Sequence, residues 1–253
     1  MKTAFLTDRG KVRSHNEDCV GVFINNAGAV LAIIADGMGG HLAGDVASEM
    51  TVSAFKKLWS ETGDFPTPDT AENWLREQIR TVNKMIFEHA LTHPECQGMG
   101  TTFVGAICTG NFATIGHIGD SRCYLYNSDG FKQLTNDHSL VHELVRSGQI
   151  SKEDAENHPR KNVLLRALGT ESDVQMDARS ICVENSDVIL LCSDGLSNKL
   201  SDPELQNILV ENHSLEDMAE NLIVLANENG GEDNISVALV QLPPEPKEGD
   251  EAC

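Results

Sequence analysis

The sequence predicts an α+β domain, and three observations predict it. Short apolar runs, each about a strand long, recur at Val30–Ala35, Thr102–Cys108, Ala113–Ile118, Val188–Cys192 and Ile235–Leu242. Tight polar turns, Asn25-Asn26-Ala27-Gly28 and Thr109-Gly110-Asn111, join neighbouring runs as hairpins. Between those hairpins lie two long stretches of helical spacing, which read as helices packed side by side against a sheet.

Ala4–Leu6 begins as a strand and Thr7-Asp8-Arg9-Gly10 turns. Val20–Ile24 and Val30–Ala35 follow as the first hairpin, the second run buried on both faces. Gly44–Trp59 is helical, with Ala47, Met50, Ala54 and Leu58 on its buried face. Asp69-x-x-Glu72 reads as a capping box that opens a second helix, lined by Leu75, Ile79, Val82, Ile86 and Ala90 and stopped before Pro94. After the second hairpin come a strand at Cys123–Tyr126 and a helix capped by Asp137-His138-Ser139, with Leu140, Leu144 and Val145 inward. Residues 148–170 mix Gly, Pro and basic side chains and read as a mobile insertion of small helices. Asp202-Pro203 opens a helix that turns Leu205, Ile208 and Leu209 inward. Ser214-x-x-Asp217 caps the last helix, which buries Met218, Leu222 and Leu225. The tail, 243–253, is Pro- and Glu-rich and reads as disordered.

Composition excludes several classes of function. The chain has 253 residues, 40% of them hydrophobic, enough for a sizeable core. A net charge of −20 repels nucleic acid and anionic membranes. No apolar run is long enough to span a bilayer or to serve as a signal peptide. Seven cysteines without a Cys-x-x-Cys pair suit a reducing cytoplasm better than a disulfide framework or a zinc site. No cysteine has an arginine six places on, against a cysteine-dependent phosphatase, and a Gly-x4-Gly-Lys phosphate loop is missing.

Three carboxylates sit at the edges of apolar strands next to glycine or tight turns: Asp36, Asp194 and Asp233. Asp120, after Gly119, is a fourth of the same kind. Buried carboxylates are costly unless paired or bound to cations. With no Cys/His set beside them, an all-oxygen site favours Mg2+ or Mn2+. Carboxylates around two such ions can clamp a phosphoryl group, and Arg13 would hold the phosphate. The bland alternatives are a capped Gly-rich turn at Asp36 and a surface salt-bridge cluster around Arg13. His138 and His142 stand one helical turn apart but lack the His-Glu-x-x-His order of a zinc site.

Six motifs in order carry a family resemblance. They are Arg13…Asn16-Glu17-Asp18, Ala35-Asp36-Gly37-Met38-Gly39-Gly40-His41, Gly100-Thr101-Thr102, Gly119-Asp120-Ser121-Arg122, Cys192-Ser193-Asp194-Gly195-Leu196 and Glu232-Asp233-Asn234. From about Thr3 to Leu242 the chain resembles the metal-dependent protein phosphatases of the 2C type, in their bacterial stand-alone branch. The resemblance implies an α-β-β-α sandwich of two antiparallel sheets flanked by helices, in one phosphatase domain over 1–242. It implies two ions, Mn2+ or Mg2+, with a third in bacterial members. Asp36 would bridge two metals, with the Gly37 carbonyl on one and Asp194 and Asp233 completing the other. Asp120 with Asp194 would make the third site, and Asp18 or Glu17 would act at the second metal. Arg13 would bind the substrate phosphate, residues 148–170 would be a flap, and His158 would lie near the phosphopeptide. The implied reaction is attack on phosphorus by a metal-bridging hydroxide. Met38 replaces the histidine of animal members proposed as general acid, which leaves metal-bound water, His41 or a flap group to protonate the leaving alkoxide. Implied partners are phosphoproteins and a cognate Ser/Thr kinase, for a cytoplasmic monomer without nucleic acid or membrane. The rival readings are an inactive phosphoprotein-binding relative and a phosphatase of a small phosphoester.

Overall fold

Along β3 (Val30–Met38) successive side chains enter two different cores. Leu31, Ile33 and Ala35 pack with Phe55, Trp59, Leu75 and Ile86 from helices. Val30, Ala32 and Ile34 pack instead with Ile189, Leu191, Ala238 and Val240. A strand alternates faces with period two, so a run apolar at every position needs cover on both sides. In this computed structural model, which describes residues 1–39, 43–210 and 214–244, that cover is a helical layer on one side and a second sheet on the other.

The larger sheet has the order β2-β3-β5-β6-β9, with β4 pairing on β3. Its other strands are β2 (Asp18–Ile24), β4 (Gly100–Thr101), β5 (Phe103–Cys108), β6 (Phe112–Ile118) and β9 (Asp177–Cys182). The smaller sheet, β1-β11-β10-β7-β8, uses β1 (Lys2–Asp8), β7 (Arg122–Asn127), β8 (Gly130–Gln133), β10 (Val188–Cys192) and β11 (Ile235–Gln241). Every pairing is antiparallel. Helices α1 (Ala43–Ser60) and α2 (Pro68–Thr92) cover the larger sheet. On the smaller sheet, α6 (Asp202–Val210) and α7 (Leu215–Glu228) bury Leu205, Leu209, Met218 and Leu222 against Leu190, Val237 and Leu239. The expected α-β-β-α sandwich is therefore the fold.

The structure corrects several local expectations. The buried face of α1 carries Ala47, Ser48, Thr51, Val52, Phe55 and Trp59, with Met50, Ala54 and Leu58 only partly covered. An aromatic cluster sets the helix face: Phe55 stacks on Phe103 at 4.9 Å and Trp59 on Phe65 at 5.5 Å, and large aromatic side chains dominate core energetics. Helix α2 is capped by Thr67 and Thr70 rather than by Asp69 and Glu72. Pro68 explains the shift, because it has no N–H to satisfy and suits the first helical position. Ser139 alone caps α3 (Leu140–Arg146), which buries no residue fully, so Leu140, Leu144 and Val145 are half-covered rather than core.

The segment 148–170 contains one small helix, α4 (Lys152–Glu156). Its far end is stitched to the domain. Leu140 N donates to Val163 O at 2.8 Å, Leu165 N to His138 O at 2.8 Å and Leu168 N to Thr101 O at 2.8 Å. The Asn83 amide then holds Gly169 N (2.8 Å) and Glu171 O (3.0 Å). Of the tail, 245–253 lies outside the described residues.

Candidate active site

Strand β3 does not stop at Ala35 but carries Asp36 and Gly37 inside its ladder. Main-chain bonds from Thr102 N to Asp36 O (2.9 Å) and from Gly37 N to Glu17 O (3.0 Å) hold this end. The Thr102 hydroxyl accepts from Asp36 N at 2.9 Å, and the Thr101 hydroxyl donates to Asp36 O at 2.9 Å. Gly37 is required by close approach, since a Cβ there would stand 2.1 Å from the Gly44 carbonyl oxygen at the start of α1.

The register of β2 and β3 sets Asp18 opposite Asp36. Asp18 is buried, and its Oδ2 accepts from both Ser193 Oγ and Ser236 Oγ at 2.7 Å, while its Oδ1 has no partner. Asp194 opens the short helix α5 (Asp194–Ser197) directly after β10 and accepts from Asn198 at 3.1 Å. The Asp194 and Asp36 carboxyls influence each other electrostatically. Gly195 allows this packing, because a Cβ would meet the Asn234 carbonyl oxygen at 2.0 Å.

Asn234 assembles the remaining wall. Its side chain donates to the carbonyls of Arg9 and His15, both at 2.9 Å, and accepts from Glu17 N at 2.8 Å. One amide thereby fixes the 9–17 loop next to Asp233. Arg13, in that loop, donates to Asp233 Oδ2 at 2.8 Å. Asp120 sits on a loop whose preceding Gly119 has φ +104 and is gripped by two histidines. His117 Nε2 lies 2.8 Å from Gly119 O, and His138 takes Gly119 N at 3.2 Å. Below the loop Arg122 forms a fork with Asp137 at 2.7–3.2 Å.

Burial away from water dominates the electrostatics, and repulsion between the carboxylates adds to it. Burial and then Asp18, Asp194, Asp120 and Asp233 push the Asp36 pKa well above the carboxylate range. Burial likewise pushes Asp18 up to about 7, against the bonds from its two serines, and Asp120 up to about 8. Asp194 rises to about 6 through burial and Asp233, and Glu17 rises mainly through burial.

The structure thus brings together Asp18, Asp36, Gly37, Asp120, Asp194, Asp233, Glu17 and Arg13 at one end of the sandwich. They meet as overlapping pairs; no three His, Cys, Asp or Glu among the described residues are already closed into a ligating group. His158 is bonded within its own segment, to Ala155 O and Arg160 N, and the structure records no bond from it to the aspartates. Gly40 and His41 lie outside the described residues. The donor chemistry fits hard divalent cations: the carboxylates are all-oxygen, under-compensated and include an orphaned buried oxygen on Asp18.

A match to the family described as protein phosphatase 2C covers residues 8–239. The chain belongs to the protein phosphatase 2C family. It is 51% identical over 241 residues to the serine/threonine phosphatase Stp of Listeria welshimeri, covering 95% of this chain and 96% of the relative. The solved serine/threonine phosphatase of S. agalactiae superposes with a TM-score of 0.89 at 41% identity, over 94% of this chain and 98% of the other. The catalytic domain of PstP, solved in complex with two manganese ions, gives 0.84 at 35% identity, over 96% and 98%. This phosphatase 2C chain is a protein serine/threonine phosphatase.

Sequence reasoning missed the groups that hold the phosphatase 2C acids in place: Thr101, Thr102, Ser193, Asn234, Ser236 and the His117–His138 pair. Thr101, Thr102, Ser193 and Asn234 lay inside the quoted motifs, where adjacency to an acid was the available signal. Ser236, in an ordinary strand, offered none.

Proposed function

We propose that this phosphatase hydrolyses phosphoserine and phosphothreonine in proteins with two divalent cations, Mn2+ or Mg2+, and room for a third. The reading is carried by the convergence of Asp18, Asp194, Asp120 and Asp233 on Asp36. Asp36, the Gly37 carbonyl, Asp194 and Asp233 would hold the pair, with Asp18 and Glu17 serving the second ion and Asp120 with Asp194 the third. The manganese pair in the PstP structure supports this assignment. When bound, the ions supply Lewis acidity, which makes hydroxide available at neutral pH and neutralises the phosphoryl oxygens.

The chain's own residues position the substrate. Arg13 is half-exposed and can turn its planar fork from Asp233 to a phosphate dianion. His158 and the rest of 148–170 would face the peptide around the phosphorylated residue. We further propose that residues 1–242 act as one domain, in the cytoplasm, as a monomer, opposing a Ser/Thr kinase. The net charge of −20 supports protein substrates over nucleic acid.

Phosphate release from a phosphothreonine peptide, with Mn2+, Mg2+ or chelator, tests the reading. Turnover that needs metal and is lost in Asp36→Asn is expected. Full turnover in chelator, or in Asp36→Asn, would overturn it.

A further inference from the structure

With Asp18 ionised, the form that would hold a cation, the hydrogen bonds around it have only one consistent direction. An ionised carboxylate can only accept, so Ser236 Oγ spends its single proton on Asp18 Oδ2, 2.7 Å away. The Thr7 hydroxyl, 2.8 Å from Ser236 Oγ, must then donate to it. Asn16 Nδ2 donates in turn to Thr7 Oγ1 at 2.9 Å. Ser193 also gives its proton to Oδ2, at 2.7 Å, and accepts from Ser236 N at 2.9 Å. Two proton chains therefore end on the same oxygen. The other oxygen, Oδ1, is buried on a residue 8% exposed and has no partner at all.

We infer that Ser193 and Ser236 are positioning residues that clamp Asp18 by Oδ2 and so reserve Oδ1 as the oxygen offered to a divalent cation. Ser236 lies in β11 of the smaller sheet and Ser193 directly follows β10 of that sheet, its N–H donating to Ser236 O at 3.1 Å, whereas Asp18 belongs to the larger sheet. The clamp therefore also joins the two sheets at the site. Its chemistry is that of outer partners that orient ligands, whose loss costs about 10- to 100-fold in metal affinity. The inference rests on the two-cation reading above and adds which groups set the affinity.

The test is Mn2+ titration of the metal-free protein, followed by calorimetry and by the spin resonance of free Mn2+. Ser193→Ala with Ser236→Ala should weaken one Mn2+ by about 10- to 100-fold. Ser236→Thr, which keeps the hydroxyl, should retain wild-type affinity. Thr7→Val, a strand isostere at an exposed position, should weaken binding by a few-fold without loss of fold. In an Asp18→Ala background the serine substitutions should change Mn2+ affinity no further. At saturating Mn2+ the Ser variants should recover most of kcat while the KM for metal stays raised. Wild-type affinity in the double serine variant and in Thr7→Val would overturn the inference. So would an equal weakening with and without Asp18. Failure of the wild type to bind Mn2+ would instead sink the two-cation reading itself.

Discussion

Asp18 and Asp36 occupy one rung of the β2–β3 ladder, two carboxylates directly opposite each other. Like charges at that spacing destabilise a sheet, and here the pair is also withdrawn from water. The fold tolerates this repulsion at the place where the sandwich opens, so stability there is traded for a site of high negative potential.

The first prediction concerns pH. Asp18, Asp120 and Asp194 have folded-state values of about 7, 8 and 6, above the ordinary carboxylate range. A raised carboxylate binds its proton more tightly in the folded state. Its stabilising contribution is present at and below pH 4 and is lost as pH rises through 6 to 8. Metal-free protein should therefore melt at lower temperature at pH 8 than at pH 5. Added Mn2+ should raise the melting temperature more at pH 8, because the ion replaces the protons. Equal shifts at both pH values would contradict this.

Asp36→Asn should separate stability from activity. At alkaline pH, where the Asp36 carboxyl is pressed to ionise opposite Asp18, its removal should stabilise the metal-free protein by ~1 kcal/mol in denaturant titrations. The same variant should lose at least about a thousandfold in kcat, as expected when a centre of charge stabilisation is removed. A variant both less stable and active would count against the arrangement.

Arg13→Ala should act on substrate rather than on fold. Its bridge to Asp233 joins groups 48% and 33% exposed, and such exposed pairs contribute little to stability. Melting should stay within a degree or two of wild type, while KM for a phosphopeptide rises by about tenfold or more and Arg13→Lys recovers only part. Unchanged KM would remove Arg13 from the phosphate site.

Arg122→Met should do the opposite. The guanidinium is forked on Asp137, with the two side chains 24% and 10% exposed. Leaving the mostly buried Asp137 carboxylate with only the Gln133 amide, 3.3 Å from its Oδ1, should cost about 3 kcal/mol in denaturant titrations. A loss below 1 kcal/mol would show that Gln133 and solvent suffice for Asp137.

The acids were legible because each follows a buried strand or a tight glycine, a pattern visible within ten residues of chain. Strand β3 was legible for the same reason, since an unbroken apolar run leaves little choice but a doubly covered strand. The α1 face was not, because distant aromatics at Phe65, Trp74 and Phe103 select it. Asp137 and His138 look like a helix cap in sequence, yet one is taken by Arg122 and the other by Gly119. Local reading cannot anticipate partners that only folding brings near.

The bonds from Ser193 and Ser236 to Asp18 span 175 and 218 residues of chain. A ribosome therefore emits every strand of the larger sheet, complete by Cys182, well before the clamp on Asp18 exists. Contacts of such separation form late, after the loop they close has been ordered. A nascent or truncated product ending before Asp233 would carry Arg13, Asp36 and Asp120 without Asp233, Asn234 or Ser236. On the proposed two-cation reading, a chain truncated before Asp233 should release no phosphate, so competence would arrive only as β11 is translated.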